Sequence, residues 1–300
     1  MEKSRGFLIY LFYLILILTW GSSFILMKIG LQYYTPPQVA TIRMVSALIA
    51  LIGLAVFHVR KIPLHKFGYV AISGIVGMFF PAFLFCYAEA GMSSAIAGIL
   101  NALVPTFTLI IGALFFKQRI KRAHVLGLII GFSGILLLIL INPVGQLALN
   151  SYAFLVIAAT ICYGLNINIV KHFLADVDPL PISTVSVSIS GILALIYMLF
   201  KGGLHLIPLN AQNKTPLLAA IALGVFGTAM AQSLFNQLIK KTSGLFASTI
   251  VYVLPIVAIF WGVLYGEKLV PLHYCGMLLI IIGIVVIRQP AFLKRWALTQ

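Results

Sequence analysis

The side chains able to do chemistry in this sequence are few, and almost all stand inside long apolar stretches. Arg43 lies about two turns into one stretch and Glu89 at the end of another. Side-chain amides form a second group: Asn101, then Asn166 with Asn168, then Gln232 with Asn236, whose i, i+4 spacing puts them on one helical face. Aromatics form a third, with Trp20, Phe24, Phe83, Tyr87, Tyr163, Tyr252 and Trp261 spread over the same stretches. None of this resembles a catalytic set. There is no HExxH, GxSxG, phosphate-binding loop or CxxC, the six histidines fall mostly at predicted helix ends, and no nucleophile stands beside a base. Neither an enzyme nor a bound metal or cofactor is expected. Cys86, Cys162 and Cys275 are far apart and read as small hydrophobes.

The stretches that must position these groups define the class. At 62% hydrophobic and 8% charged residues over 300 positions, too few polar groups exist to cover a water-soluble surface. A bilayer-spanning helix needs about 20 apolar residues. Ten candidates occur in order: Phe7–Met27, Pro37–Phe57, Phe67–Tyr87, Ile96–Phe116, Ala123–Ile141, Ala153–Val170, Ile182–Phe200, Leu217–Gln237, Leu245–Tyr265 and Leu272–Ile287. They leave no room for an extramembrane domain. The basic start before the first run does not make a signal peptide, because the run is too long and no small-residue cleavage site comes after it.

A net charge of +15 would suggest nucleic acid for a soluble domain; here loop topology explains it. With the N-terminus in the cytoplasm, fifteen lysines and arginines fall on cytoplasmic segments and four, Lys28, Lys201, Lys214 and Lys268, on the opposite side. Both termini are therefore expected in the cytoplasm, and no nucleic-acid partner.

The chain also repeats itself. Ala97, Pro105, Gly112 and Phe115 return 150 positions later as Ala247, Pro255, Gly262 and Tyr265, and Gly77 and Phe85 as Gly227 and Phe235. Gly127 and Gly134 return, one residue short, as Gly276 and Gly283; Gly21, Lys28 and Pro36 return 143 later as Gly164, Lys171 and Pro179. Each half, residues 1–142 and 151–290, holds five helices. An odd number makes the second half enter the membrane the opposite way up, an inverted repeat. Charge agrees: the cationic run Lys117–Arg122 has a net-neutral counterpart at Glu267-Lys268, and Glu89-Ala90 becomes Lys240-Lys241. The expected fold is an all-α integral membrane protein, ten transmembrane helices in two inverted five-helix repeats.

The run Trp20-Gly21-Ser22-Ser23-Phe24, Arg43 in the second helix, Ala95-x-Ala97, the Pro105 helix, the basic hairpin, and Tyr265-Gly266-Glu267-Lys268 ahead of Gly276 and Gly283 resemble the drug/metabolite transporter superfamily, specifically its EamA-type members. The resemblance spans residues 8 to 288. In that family a Gly-Glu-Arg or Gly-Glu-Lys usually ends the fourth helix as well as the ninth; here Phe116-Lys117-Gln118 stands instead. A leucine is common where Glu89 stands. The resemblance implies a secondary carrier of small metabolites in the bacterial inner membrane, often outward, with helices 1, 3, 4, 6, 8 and 9 around a central cavity and 2, 5, 7 and 10 outside them.

A carrier needs polar groups near mid-membrane and a scaffold that rocks about them. Trp20, Ser23, Phe24, Phe83, Tyr87, Asn101, Tyr163, Asn166, Gln232, Asn236 and Tyr252 are the candidate substrate-binding residues. Pro105 and Pro255 free the carbonyls of Asn101 and Val251 and kink their helices. Each assignment has a plainer alternative: interhelical hydrogen bonds of about 0.6 kcal/mol for the amides, interfacial belts for the aromatics, ordinary membrane prolines for the kinks. Arg43 costs about 2.5–3.5 kcal/mol near a helix centre and needs a partner. Glu89 is the candidate, either as a structural ion pair or as an external gate whose carboxyl couples proton to solute movement. Sparse charge disfavours phosphorylated solutes and favours zwitterionic, neutral or aromatic ones. A lipid-moving variant of this fold, or a membrane protein that transports nothing, is the alternative; a monomer or a homodimer is expected.

Overall fold

Prolines and short polar turns cut the apolar sequence into helices. Pro36, Pro179 and Pro271 each open one, where the missing N–H would have had no intrahelical partner. The computed structural model of the chain describes residues 2–118, 122–141, 149–201, 213–241 and 250–296. We number ten spans. They are α1 (Glu2–Gly30), α2 (Pro36–His58), α3 (Leu64–Gly91), α4 (Ser94–Phe115), α5 (Arg122–Leu140), α6 (Ala153–Phe173), α7 (Pro179–Phe200), α8 (Lys214–Lys241), α9 (Ile250–Leu264) and α10 (Pro271–Trp296). We call the end where α1 starts basal and the end where it stops distal.

Eight of these helices are long and apolar enough to cross a membrane, and α9 and α10 contain shorter apolar stretches, Val253–Leu264 and Pro271–Val286. The first part of the expected ninth span, from Leu245, lies outside the described residues. Large apolar side chains cover the outside of the bundle: Ile49, Leu114 and Phe200 are 71%, 72% and 88% exposed. Water would penalise such a surface, whereas lipid matches it. The protein is an all-α integral membrane protein of two inverted five-helix repeats.

Packing reflects the duplication. Helix α1 packs against α9 as α6 packs against α4, and α1 meets α8 as α6 meets α3. The α2–α7 and α5–α10 pairs are each self-related. Glycines set the closest approaches. A Cβ on Gly21 would lie 2.5 Å from Val257 Cβ, and one on its counterpart Gly164 would lie 2.8 Å from the backbone of Thr108. In α5–α10, a Cβ on Gly134 or Gly283 would lie 2.5 Å from the carbonyl of Gly276 or Gly127 respectively. Backbone meets backbone there, as expected of membrane helices held by small residues.

Three helices depart from regular α geometry. Helix α3 contains a π-helical turn at Ile75–Phe79, and α8 contains one at Val225–Met230, beginning 150 positions later. Helix α4 is broken between Ser94–Asn101 and Val104–Phe115, so Pro105 opens the second segment instead of kinking a continuous helix. Pro255 does sit inside α9. Two turns at the ends of α4 and α9 also match: Lys117 (φ 53°) and Gly266 (φ 80°) both adopt left-handed backbone. The next residue bonds back in each, Gln118 N–H to Gly112 O at 3.0 Å and Glu267 N–H to Gly262 O at 2.9 Å. Gln118 is thus the structural counterpart of Glu267.

Candidate functional site

The irregular turns lie beside a central cavity of about 220 Å³. The glycines in those turns let neighbours close in. A Cβ on Gly77 would lie 2.2 Å from Asn166 Nδ2, and one on Gly227 would lie 2.7 Å from Ser23 Oγ. Since Ser23 and Asn166 are themselves repeat counterparts, the two walls are built the same way.

The correspondence extends to most of the lining. Trp20 pairs with Tyr163, Ser23 with Asn166, Phe24 with Ile167, Gly77 with Gly227, Met78 with Thr228, Phe85 with Phe235, Asn101 with Val251 and Val104 with Leu254, both members of each pair lining the cavity. Met27, Arg43 and Gln232 line it without a lining counterpart. Symmetric positions carry unlike chemistry. The chamber is symmetric in plan and lopsided in polarity.

Several polar groups in the wall are held in place. Trp20 Nε1 donates to Gly227 O at 3.1 Å, so α1 is tied to the π turn of α8. Ser73 Oγ donates to Asn166 Oδ1 at 2.6 Å, which leaves the Asn166 NH2 group as a donor. Arg43 Nε donates to Thr228 Oγ1 at 3.0 Å, and Thr228 donates onward to Leu223 O at 3.3 Å.

Of the residues expected to bind or gate, Trp20, Ser23, Phe24, Asn101, Tyr163, Asn166, Gln232 and Arg43 line this cavity. Phe83 and Tyr87 do not. Phe83 sits edge-on to Tyr197 of α7 at 5.2 Å, and Tyr87, 42% exposed, also faces Tyr197. The π turn before them adds a residue and rotates the rest of α3 by about 100°, so Phe85 enters the cavity instead. Asn236 is also elsewhere: its Nδ2 bonds Ser183 Oγ and Pro179 O, joining α8 to α7. Four residues beyond Gln232 its side chain is about 40° off the same face. Asn168 is structural too, donating to Thr108 O at 2.9 Å and Gly164 O at 2.8 Å. The side chain of Tyr252 lies outside the described residues. Pro105 and Pro255 stand one turn beyond the lining residues Asn101 and Val251.

The Arg43–Glu89 ion pair does not form. Arg43 is seven positions into α2 and Glu89 two positions from the end of α3, depths of about 10 and 3 Å at 1.5 Å per residue. The nearer cation is Lys28, whose Nζ donates to Glu89 O at 2.8 Å and Met92 O at 2.9 Å. The Glu89 carboxyl is fully buried with neither oxygen hydrogen-bonded. The central chamber is walled by α1, α3, α4, α6, α8 and α9, as the resemblance implies, with one addition: α2 contributes Arg43. Sequence reasoning missed Thr228 and the π turns; the repetition of Gly77 as Gly227 was the available signal.

A polarised chamber inside a membrane-embedded inverted repeat defines a membrane transporter. The chain belongs to the EamA-like transporter family, whose profile matches residues 7–140 and again 150–289. It is 25% identical, over 95% of its length and 94% of theirs, to a Salmonella typhimurium protein named "Probable amino-acid metabolite efflux pump". Similar coverage, 93% and 90%, joins it at 26% identity to the "Uncharacterized inner membrane transporter YedA" of Escherichia coli. A "Probable terminal-alkyne amino-acid exporter" of Streptantibioticus cattleyicolor is 23% identical over 93% of each chain. A solved crystal structure with 18% identity superposes with a TM-score of 0.64, covering 96% of this chain and 97% of its own, a likeness of fold.

Proposed function

We propose that this protein is a secondary carrier that exports small metabolites, amino acids or aromatic and neutral compounds of similar size, by alternating access about the central chamber. The observation that carries the reading is the paired lining: sixteen of the nineteen described lining residues are repeat counterparts. A chamber shared equally by two inverted units stays in place while the units rock, exposing it first to one side and then to the other. The π turns of α3 and α8 and the proline sites of α4 and α9 supply local breaks about which the wall segments move. Export and an amino-acid-like cargo are supported by the names of two relatives. Both termini are cytoplasmic in this reading, because the basal connections carry the excess of lysine and arginine.

Glu89 is the proton site of this carrier. Its carboxyl is enclosed at the distal end, with Lys28, Glu267 and Arg43 as the charged groups acting on it. Opening that end would hydrate it and let it exchange a proton. A lipid-moving reading has one supporting feature, a groove of about 300 Å³ between α1 and α9 lined by Ser22, Ile25, Leu26, Ile29, Trp261, Leu264 and Tyr265. Its serine is already taken by Trp261 Nε1 at 2.7 Å, so the groove suits an acyl chain and offers little to a headgroup.

The test is counterflow in proteoliposomes, with amino acids, nucleobases, polyamines and quaternary amines as cargo, chosen after a thermal-shift screen. A ligand at 100 times its dissociation constant stabilises by about 2.7 kcal/mol. Saturable counterflow of one chemical class is expected, with Glu89→Gln retaining counterflow but losing its pH dependence. No counterflow of any class by folded protein defeats the carrier reading.

A further inference from the structure

Arg43 carries its charge in a chamber with no acid among its described lining residues. The chain has five carboxylate side chains in all. Glu89 is enclosed at the distal end of α3, Asp176 pairs with Lys66, Asp178 precedes α7, and Glu267 accepts the N–H groups of Ser94 and Ala95. Glu2 opens α1. None of the four acids whose side chains are described lines the chamber. A guanidinium has five N–H donors, and among the described residues its single hydrogen bond engages Nε. That bond also orients the group, because Thr228 accepts from Arg43 while donating to Leu223 O. The two Nη groups are left as an end-on fork, the geometry that pairs with a carboxylate through two parallel bonds. Ionisable groups within a membrane mark sites whose partner has to be named; Glu89 acts on Arg43 only from a distance, and among the described residues no carboxylate pairs with the guanidinium.

We propose that Arg43 is the anchor for a solute carboxylate and that the cargo is a small monocarboxylic acid with an aromatic or apolar body. This rests on the carrier reading and specifies its substrate. Trp20, Phe24, Phe85, Tyr163 and Phe235 provide the apolar surface for the body. An amino group on the solute meets only neutral acceptors such as Asn101 and Gln232, so it contributes less than the carboxylate. Two acids on one solute would leave the second without a cation, which excludes dicarboxylates.

Four probes of one shape separate the contributions: L-phenylalanine, 3-phenylpropionate, L-phenylalaninamide and phenethylamine, each tested by thermal shift on the full-length protein and by counterflow. Both carboxylates are expected to bind, and the amide and the amine to bind at least about tenfold more weakly. R43Q removes that discrimination. R43K keeps the charge without the fork and falls between; T228V keeps the guanidinium but loses its orienting acceptor and weakens the acids severalfold. These two carry the test if R43Q does not fold. Binding of the amine but not the acids, equal binding of all four, or no shift with either acid overturns the proposal. Counterflow of the acids by R43Q at unchanged KM leaves the carrier intact and removes the anchor. Arg43-dependent binding without counterflow leaves the anchor and removes the carrier.

Discussion

Asp176 and Lys66 make the one ion pair between side chains among the described residues, and it joins the first turn of α3 to the α6–α7 connection at the basal end. The hydrogen bond from Lys66 holds the Asp176 carboxyl below the usual carboxylate range. A depressed carboxylate pKa contributes stability above its unfolded value, and that contribution is lost as pH falls through the folded value. The Asp176 side chain is open to solvent, so the pair is screened and small. Asp176→Asn is expected to shift the melting temperature only slightly at neutral pH and low salt, with the difference vanishing at about 1 M salt, where the screening length is about 3 Å. A difference that persists in high salt would mean the loop is held by something else.

At the scale of elements, α4 depends on a residue from the other repeat. Glu267 accepts from Ser94 N–H at 2.7 Å and Ala95 N–H at 3.0 Å, while Ser93 Oγ accepts from Ile96 N–H at 3.2 Å. A carboxylate at a helix N-terminus satisfies orphan donors and meets the positive end of the helix dipole. Hydrogen bonds to charged groups contribute about 1.5–3 kcal/mol. Glu267→Ala should therefore cost about 2–3 kcal/mol in detergent melts, and Glu267→Gln about half of that, since an amide can still accept one N–H. Equal losses for both variants would argue against a charge-assisted cap. The α5–α10 pair depends instead on close approach. Gly283→Val puts a branched side chain where a Cβ would already lie 2.5 Å from Gly127 O, and is expected to separate the pair, seen as aggregation on size exclusion.

At the scale of the whole molecule, the inverted repeat makes orientation testable. The cationic basal connections, Arg60-Lys61 through Lys66 among them, face the cytoplasm in our reading. A fluorescent protein fused after Gln300 should fluoresce, and a single cysteine placed at Lys61 should be labelled from the cytoplasmic side of sealed membranes. A dark fusion together with labelling from the opposite side would reverse the direction inferred for transport.

Much of this protein is legible in its sequence because a bilayer imposes one-dimensional rules. Span length, the side on which lysine and arginine collect, and a pattern repeating at 150 and 143 positions require no knowledge of neighbours. They lead to ten helices, inverted halves and a central chamber, and with these come the amides and aromatics on helices 1, 4, 6 and 8. Which face each side chain takes was decided only in three dimensions. A π turn at Ile75–Phe79 turned Phe83 and Tyr87 toward α7 and Phe85 inward, because one added residue shifts all later ones about a third of a turn. The partners of the charges were decided there too. Arg43 and Glu89 looked like a pair by sign, yet depth separated them: Lys28 takes only the Glu89 backbone carbonyl, the carboxyl keeps no hydrogen bond, and the Arg43 fork is left to the chamber.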